Sequence, residues 1–547
     1  MNPLIIRGIR ERLRPKHLIA AGLFSLIICS TIYLSAYLDG KKPQYQLDPI
    51  SKTWNKGEPS EINGARNAFT FLIVLQGFYL MFLGTGRVAA ITAEERESGL
   101  LDYQRMTPMN PLSKILGYVF GLPAREYYMF LFTLPFLLHC VIVGQLPWAN
   151  ILQLYAVFFC SVFLYHLTAH GVGLIVPKPR AASWVSRITV LGLYVVLPGL
   201  GQAGISFLSF LTILPTYFGK ILPILKFEGV EKLGRFEMKA VQFWEDVPFF
   251  DFLISPTSFT FFMQGLIILA LLVTAYRKWR NQALPAFSKP AGLILYTIFQ
   301  FLLLGSLWTF FTKGNASGLL GDLFSTNTLG NTGELANGLI LVQSIFWGLS
   351  LFAILSLINI CCPNQHLYLK GIQRSEKLQL DRVPRSADEG SGAWFACSLA
   401  VLTGIVHVIF SHLIANSEVW NGYPSVLDTI TIPILMIVTV SLYLQAAREL
   451  WFNLGFWGFV GLLWITPLLT CLVLAVGWEE EFINGIMKLL SICPTSIIPL
   501  HLILEYSNML EIPKEFNAPV EEAIVFGLIL SFCLALFLQI RLRLKRR

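Results

Sequence analysis

Apolar segments long enough to cross a bilayer recur along the whole of this 547-residue chain. A hydrocarbon core of about 30 Å needs about 20 helical residues, and segments of that length occur from one end to the other. Only 14% of the residues are charged, whereas about a quarter are charged in soluble domains. Because lipid offers no hydrogen-bond partner to an open sheet edge, such segments form helices. The sequence therefore predicts an all-α polytopic membrane protein.

Twelve of these segments are predicted to span the membrane. The predicted spans are Leu18–Leu38, Phe69–Ile91, Ala124–Gly144, Ile151–Val176, Ile188–Pro215, Phe252–Tyr276, Ala291–Phe311, Gly338–Cys361, Trp394–Ile414, Val426–Ala446, Leu454–Gly477 and Ala523–Ile540. A further apolar segment, Phe482–Tyr506, is interrupted by Pro494 and Pro499. It either crosses as a thirteenth span or re-enters from the outer side.

Positive charge decides between these two topologies. With twelve spans, Lys and Arg concentrate in the inner loops and in the C-terminal RLRLKRR, whereas the short outer loops GQLPWAN and NSEVWNGYP contain neither residue. Cytoplasmic loops of multi-pass proteins carry an excess of Lys and Arg. We therefore predict twelve spans, both termini cytoplasmic, in the cell inner (plasma) membrane. Because the charge flanks the membrane, the predicted partner is the lipid bilayer and not a nucleic acid.

The two halves of the chain resemble each other in the spacing of their spans. The first and seventh spans, the second and eighth, and the in-span prolines Pro198 and Pro467 are each separated by about half the chain. Six spans per copy is an even number, so both copies face the same way. The sequence predicts a degenerate pair of parallel six-span repeats. The predicted domains are an amphipathic interfacial helix over 1–17, a first repeat over 18–276, a linker over 277–290 and a second repeat over 291–547.

One loop is unusually rich in charge for this chain. Ile91–Gly117 reads ITAEERESGLLDYQRMTPMNPLSKILG, and its glutamates cannot lie in hydrocarbon. We expect a helix that runs on from the second span, a close approach at Gly99, and a helix stop at Thr107 and Pro108, because proline disfavours the α conformation of the residue before it. Asn110 is expected to start the next helix. We call this predicted helical projection the prong.

The prong resembles the first cytoplasmic loop of the membrane subunits of type-2 ATP-binding-cassette (ABC) exporters. That loop reads E-x-E-x-G-x-L-E-x-L, then T-P-x-S, then I-x-x-G-K. The matching residues, in order, are Glu95, Glu97, Gly99, Leu101, Asp102, Thr107, Pro108, Ile115 and Gly117, with Ile115 one position closer to Gly117 than in the pattern. Tyr118 stands where the family usually has lysine, and Asn110 stands where it has serine.

The resemblance implies a permease that works with a separate ATPase. In the family this loop inserts into the ATPase, which assigns docking to the matched residues from Glu95 to Pro108. The chain has no GxxxxGK[ST] loop, so it is predicted not to be an enzyme, to hold no cofactor, and to rely on ATP used by its partner. Family members also carry an N-terminal interfacial helix, and in this chain Arg7, Arg10 and Arg14 are its predicted membrane-interface anchors.

Other functions remain open at this point. The main alternative is an ion-gradient-driven secondary transporter with 6+6 parallel repeats, and a solvated connector is the simpler interpretation of the prong.

His166 and His170 have the i, i+4 spacing of metal ligands, but no third ligand is near in sequence and no CxxC pair occurs, so no metal site is predicted. A lipid or other hydrophobic molecule is the favoured cargo, and a peptide or a drug is the alternative. One chain with two ATPases is expected, or a homodimer if the repeat is not a fused dimer.

Overall fold

The structure, a computed structural model, describes most of the chain. The described residues are 2–43, 45–47, 54–56, 58–202, 206–225, 244, 247–281, 284–313, 332–380, 383–417, 426–467, 469, 483–507 and 517–546. The chain forms two compact units, which are Met1–Pro248 with Phe252–Gln282, and Phe249–Asp251 with Ala283–Arg547. The division after Gln282 falls within the predicted linker, 277–290, whereas duplication of the six spans stays a prediction.

Helices make up nearly all of the first unit. In chain order they are α1 Pro3–Arg12, α2 Pro15–Lys41, α3 Glu61–Gly77, α4 Thr85–Glu97, α5 Leu100–Met106, α6 Pro111–Gly121, α7 Ala124–Leu131, α8 Leu134–Val143, α9 Trp148–Ile175, α10 Pro179–Gln202, α11 Ser206–Ser209, α12 Leu214–Thr216, α13 Leu222–Leu225 and α14 Pro256–Arg280. Two short strands, β1 Tyr45–Leu47 and β2 Trp54–Lys56, pair antiparallel with Gln46 opposite Asn55.

The second unit is also helical over its described residues. Its helices are α15 Lys289–Lys313, α16 Thr332–Cys361, α17 Gln365–Lys377, α18 Ala393–Asn416, α19 Val426–Leu450, α20 Asn453–Val460, α21 Ile483–Leu490, α22 Pro494–Glu505 and α23 Asn517–Arg546. Short strands β3 Val247–Phe249 and β4 Phe252–Ile254 lie where the chain passes between the units. Segments of π-helix occur at Phe78–Gly84, Tyr217–Ile221 and Gly461–Ile465.

The chain is a multi-pass membrane protein. Within the described residues, eleven helical segments are long and apolar enough to cross a membrane, and they correspond to all the predicted spans except Leu454–Gly477. The structure describes the first part of that span as an apolar helix, Asn453–Ile465, while 468 and 470–477 lie outside the described residues. The prediction of an all-α polytopic fold is thus confirmed.

Two predicted segments are divided differently in the structure. The fifth span was expected to begin at Ile188 and to continue to Pro215, but α10 begins at Pro179, because proline is well suited to the first helical turn. The short helices α11 and α12 follow it as separate pieces. The segment Phe482–Tyr506 forms α21 and α22, of eight and twelve residues, and each is shorter than the roughly 20 residues that a crossing requires.

The second span is one long helical rod. It runs from Glu61 to Glu97 without interruption, with the π-helical segment in its middle. A π turn shifts the backbone hydrogen bonds, and the His166 Nε2 of α9 lies 2.9 Å from the carbonyl oxygen of Leu80 in that segment. The rod therefore links the membrane-spanning part of the first unit directly to the prong.

A buried apolar cluster joins the prong to the spans. It combines side chains of α4, α5, α6, α9 and α14, and its members include Val88, Leu101, Ile115, Val119, Leu167 and Trp279. Burial of apolar surface is worth about 25 cal/mol per Å². The prong is thus packed onto the spans through a shared core and is not a free connector.

Candidate functional site

The prong has the helix–turn–helix path that its residues predict. The second span ends at Glu97, α5 covers Leu100–Met106, and Thr107 leaves the helix in an extended conformation. The side chain of Asn110 then caps α6 by accepting a hydrogen bond from the Leu112 amide. The expected helix stop and the expected helix start are both confirmed.

Gly99 serves a purpose different from the expected one. Nothing lies within 4 Å of a Cβ placed on it, so the predicted close approach is wrong. Its φ of +75° is left-handed instead, a conformation that glycine adopts without steric cost. This left-handed turn ends the second span and reverses the chain into α5.

A buried lysine closes the turn between α5 and α6. The Lys114 Nζ donates to the carbonyl oxygen of Thr107 at 3.0 Å and to that of Arg105 at 3.4 Å. These oxygens are at the C-terminal end of α5, where carbonyls lack helical partners and a positive charge is favourable. Burial lowers the pKa of the Lys114 ammonium. The turn that carries Pro108 is therefore held in one shape.

Glu95, a predicted docking residue, points into the protein. The residue is only 8% exposed. Its Oε1 accepts from the guanidinium of Arg7 at 3.0 Å, and its Oε2 accepts from the amide of Gln104 at 3.3 Å. The carboxylate thus ties together α1, the second span and α5.

Tyr118 completes this group and explains a departure from the family pattern. Its hydroxyl donates to Glu95 Oε2 and lies 2.6 Å from Gln104 Oε1. Burial, together with the negative charge of Glu95, raises the pKa of the Tyr118 phenol far above its ordinary value, so it stays a donor. We call Arg7, Glu95, Gln104 and Tyr118 the carboxylate cluster. A lysine at 118 would bring a second cation to a carboxylate that Arg7 already neutralises.

Close helix packing brings α1 onto the prong. A Cβ on Gly8 would lie 2.5 Å from the Gly121 carbonyl oxygen, and one on Gly117 would lie 2.6 Å from the Cβ of Leu4. Small residues allow such backbone contact. At the helix start, the side-chain amide of Asn2 donates to the Ser113 hydroxyl at 3.2 Å. The N-terminal helix is thus a structural part of the prong.

The three predicted membrane anchors differ in their surroundings. The helix predicted over 1–17 ends at Arg12, and α2 begins at Pro15. Arg10 and Arg14 are exposed, as an interfacial role requires. Arg7 is directed to Glu95 instead, with 42% of its side chain exposed. The structure therefore joins an expected lipid anchor to an expected docking residue.

The remaining predicted docking residues differ in their exposure. Glu97, Gly99, Asp102 and Pro108 are exposed, Thr107 is half-buried and Leu101 is buried. Asp102 pairs with Arg105 at 2.6 Å on the helix surface.

Two large exposed side chains on α5 were not singled out from the sequence. Tyr103 is 64% exposed and Met106 is 78% exposed, one turn apart on α5. Aromatic residues and Met are enriched at protein interfaces. We call the exposed set of Glu97, Asp102, Tyr103 and Met106 the α5 face.

The base of the prong rests on an aromatic pair. Trp279 Nε1 donates to His170 Nε2 at 3.0 Å, and the guanidinium of Arg105 and the ammonium of Lys114 lie 5.9 and 5.8 Å from the centre of the Trp279 ring. Because Trp can only donate, His170 carries its proton on Nδ1 and gives it to Thr92 at 3.2 Å. Cation–π contact thus connects both prong cations to α14.

The histidine pair is fully engaged by the protein. His170 bonds to Trp279 and Thr92, and His166 bonds to the Leu80 carbonyl. In the part of the chain that the structure describes, no group of three or more His, Cys, Asp or Glu side chains is arranged to hold a metal ion.

The loop that follows α16 in the second unit has a different construction from the prong. Its helix α17 is followed by a turn with Gln379 at a φ of 53°. Buried Lys289 donates to the carbonyl oxygens of Ala387 and Gly390 at 2.6 Å each. The exposed leucines Leu369 and Leu378 lie among basic side chains. This surface is basic, whereas the α5 face is acidic.

No protein-family model, curated protein or solved structure matches the chain. The function must therefore be argued from the geometry of the prong and of the spans that carry it.

Proposed function

We propose that this chain is the membrane-spanning permease subunit of an ATP-driven ABC exporter. In this proposal the spans form the translocation pathway, and a separate ATPase docks on the prong. The observation that supports it best is the α5 face, where Tyr103 and Met106 are exposed on the same short stretch of chain as the exposed carboxylates Glu97 and Asp102. Exposed aromatic and Met side chains are enriched at protein–protein contacts, and charged residues are common at their rims.

The rigidity of the prong supports a role in force transmission. Glu97 ends a rod that crosses the first unit from Glu61, so a displacement of the docked face moves the second span. The carboxylate cluster and Lys114 fix the angle between that rod and α5. Glu95 contributes to docking indirectly in this proposal, because it positions the helices and does not touch the partner.

Hydrolysis belongs to the partner in this proposal. The chain lacks the glycine-rich GxxxxGK[ST] loop that cradles nucleotide phosphates. Both termini face the cytoplasm of the plasma membrane, so the prong meets a soluble ATPase. The alternative, a secondary transporter driven by an ion gradient, requires no such partner.

Purification of the tagged full chain from its native membrane tests the proposal. We expect a soluble chain that contains GxxxxGK[ST] to copurify and to hydrolyse ATP. Glu97→Arg together with Met106→Ala should remove that chain from the complex, because both changes lie on the α5 face. The matched control is Glu58→Arg, an exposed carboxylate before the opposite end of the same rod, and it should leave the complex intact. Retention of the ATPase by the prong variant would contradict the proposal.

A further inference from the structure

A cavity of about 470 Å³ lies between the second span and α10 in the first unit. Its walls are almost entirely apolar, with Val74, Phe78 and Met81 on one side and Leu191 on the other. Ligand pockets generally have volumes of roughly 300–1,000 Å³. Val74 is 66% exposed and Leu191 is 55% exposed, so the cavity is open along one side and a long molecule could enter it sideways.

A cation stands at one end of this cavity. Arg187 of α10 lies one helical turn before Leu191, on the same helical face as the cavity-lining Tyr194. Its guanidinium carbon is 5.6 Å from the centre of the Phe82 ring, which lines the cavity, and 5.9 Å from that of Trp184. The charge is thus adjacent to the apolar walls and is held between two aromatic rings.

Within the part of the chain that the structure describes, this arginine has no anionic partner. Among the described residues no carboxylate forms an ion pair with Arg187, and its buried Nε has no hydrogen-bond acceptor. The guanidinium lies against Gly86 of the second span, where a Cβ would collide with its Nε. Charged side chains in membrane segments usually pair or serve a function. The glycine provides the space in which this unpaired cation sits.

We propose that the cavity binds an amphipathic molecule with a long acyl chain and an anionic head group. The acyl chain lies along Val74, Phe78 and Leu191, and the phosphate or carboxylate of the head accepts hydrogen bonds from Arg187. A guanidinium presents a planar fork of donors that matches either anion. Each buried methylene adds apolar stabilisation. A phosphocholine head also carries a phosphate, but its own ammonium offsets that charge and repels Arg187, so the site favours a head group of net negative charge. Binding is measured on the chain without an ATPase, so a negative result would refute this inference and would leave the docking proposal untouched.

Native mass spectrometry of the purified full chain in detergent measures this binding. The probes are lysophosphatidylglycerol, palmitate and lysophosphatidylcholine of equal chain length, with inorganic phosphate as the head group alone. We expect one anionic amphipath to bind per site, and phosphate alone and the zwitterionic lipid to bind at least about tenfold more weakly. Equal binding of lysophosphatidylcholine would overturn the proposal, and so would binding of phosphate as tight as that of the amphipath.

Variants of the cavity separate the head-group contact from the acyl contact. Arg187→Gln should weaken binding about tenfold to a hundredfold, as the loss of a charge-assisted hydrogen bond predicts, while Arg187→Lys should retain part of it. Gly86→Ala keeps the charge but displaces the guanidinium, so it should also weaken binding. Leu191→Trp should exclude the acyl chain for anionic and zwitterionic probes alike.

The matched control removes the same charge elsewhere on the same helix. Arg180 is exposed and does not line the cavity, so Arg180→Gln should bind as the wild type does. Unchanged affinity in both Arg187→Gln and Gly86→Ala would refute the assignment. A wild-type chain that takes up no amphipath, and that loses a dimer in Leu191→Trp, would show that a second copy fills the groove, which also refutes it.

Discussion

The carboxylate cluster predicts that loss of one hydroxyl group loosens the prong. Tyr118→Phe removes the hydroxyl that donates to Glu95 Oε2 and leaves Arg7 and Gln104 as the donors to that carboxylate. The ring stays, so its packing against Trp279 is kept. The variant therefore isolates one buried hydrogen bond to a charged group.

The expected loss follows from the burial of that bond. A hydrogen bond to a charged group contributes about 1.5–3 kcal/mol, and Glu95 is only 8% exposed. If this whole amount is subtracted from the free energy of local opening of the prong, the open form becomes roughly ten to a hundred times more populated, since about 1.4 kcal/mol is a factor of ten. The spans keep their own packing and should not respond.

Hydrogen exchange followed by mass spectrometry measures this opening directly. Amides in α5 and at the end of α4 should exchange roughly ten to a hundred times faster in Tyr118→Phe, while those of α9 stay unchanged. Tyr103→Phe is the matched control, because it removes the same hydroxyl oxygen from an exposed ring on α5, away from the carboxylate cluster. Equal exchange in the wild type and Tyr118→Phe would refute the role assigned to the cluster.

Further predictions concern pH, helix packing, topology and assembly. Because the pKa of Tyr118 is raised in the folded prong, the phenol loses its proton at lower pH when the prong is open. The protection of the prong amides against hydrogen exchange should therefore be full below pH 10 and fall above it. Tyr118→Phe should show no such fall. Gly8→Ala places a methyl group against the Gly121 backbone and should destabilise the packing of α1 by about 1–3 kcal/mol, which trypsin should report as faster cleavage at Arg10. Gly192→Ala, with open space around its Cβ, should leave that cleavage rate unchanged. Equal cleavage rates in Gly8→Ala and the wild type would contradict the packing. A cysteine at Arg547 should be labelled only from the cytoplasmic side, and labelling from outside would mean thirteen spans. Native mass spectrometry of the complex should show one 61.5 kDa chain with two ATPases, and two such chains would refute the fused-dimer arrangement.

Much of the prong could be predicted from the sequence, because its turns depend on local chemistry. The helix stop at Thr107 and the helix start at Asn110 each depend on residues within one helical turn, so their positions could be predicted. The purpose of Gly99 was mistaken, because sequence alone does not tell whether a glycine is needed for space or for a positive φ. The approximate positions of the spans were predictable for the same reason, since hydrophobicity along the chain is local information.

Contacts between distant parts of the chain were not predictable in this way. Arg7 and Glu95 lie 88 positions apart, and each was assigned a separate outward-facing role from its own neighbourhood. Whether a glutamate on a loop helix faces a partner or its own protein depends on tertiary packing. The tyrosine at 118, where the family pattern has lysine, was the one sequence signal of this inward cluster. Nothing in the sequence pointed to Trp279 as the base of the prong.

Site-specific photo-crosslinking from Tyr103 tests the central claim most directly. A photoreactive phenylalanine analogue at this 64% exposed position, irradiated in native membranes, should form one main crosslink, to a chain that carries GxxxxGK[ST]. The same analogue at Trp148, which is 54% exposed at the start of α9, should give none. A Tyr103 crosslink to that ATPase chain is the result that the account predicts. Crosslinks from Tyr103 to lipid alone, or to the ATPase equally from both positions, would contradict it.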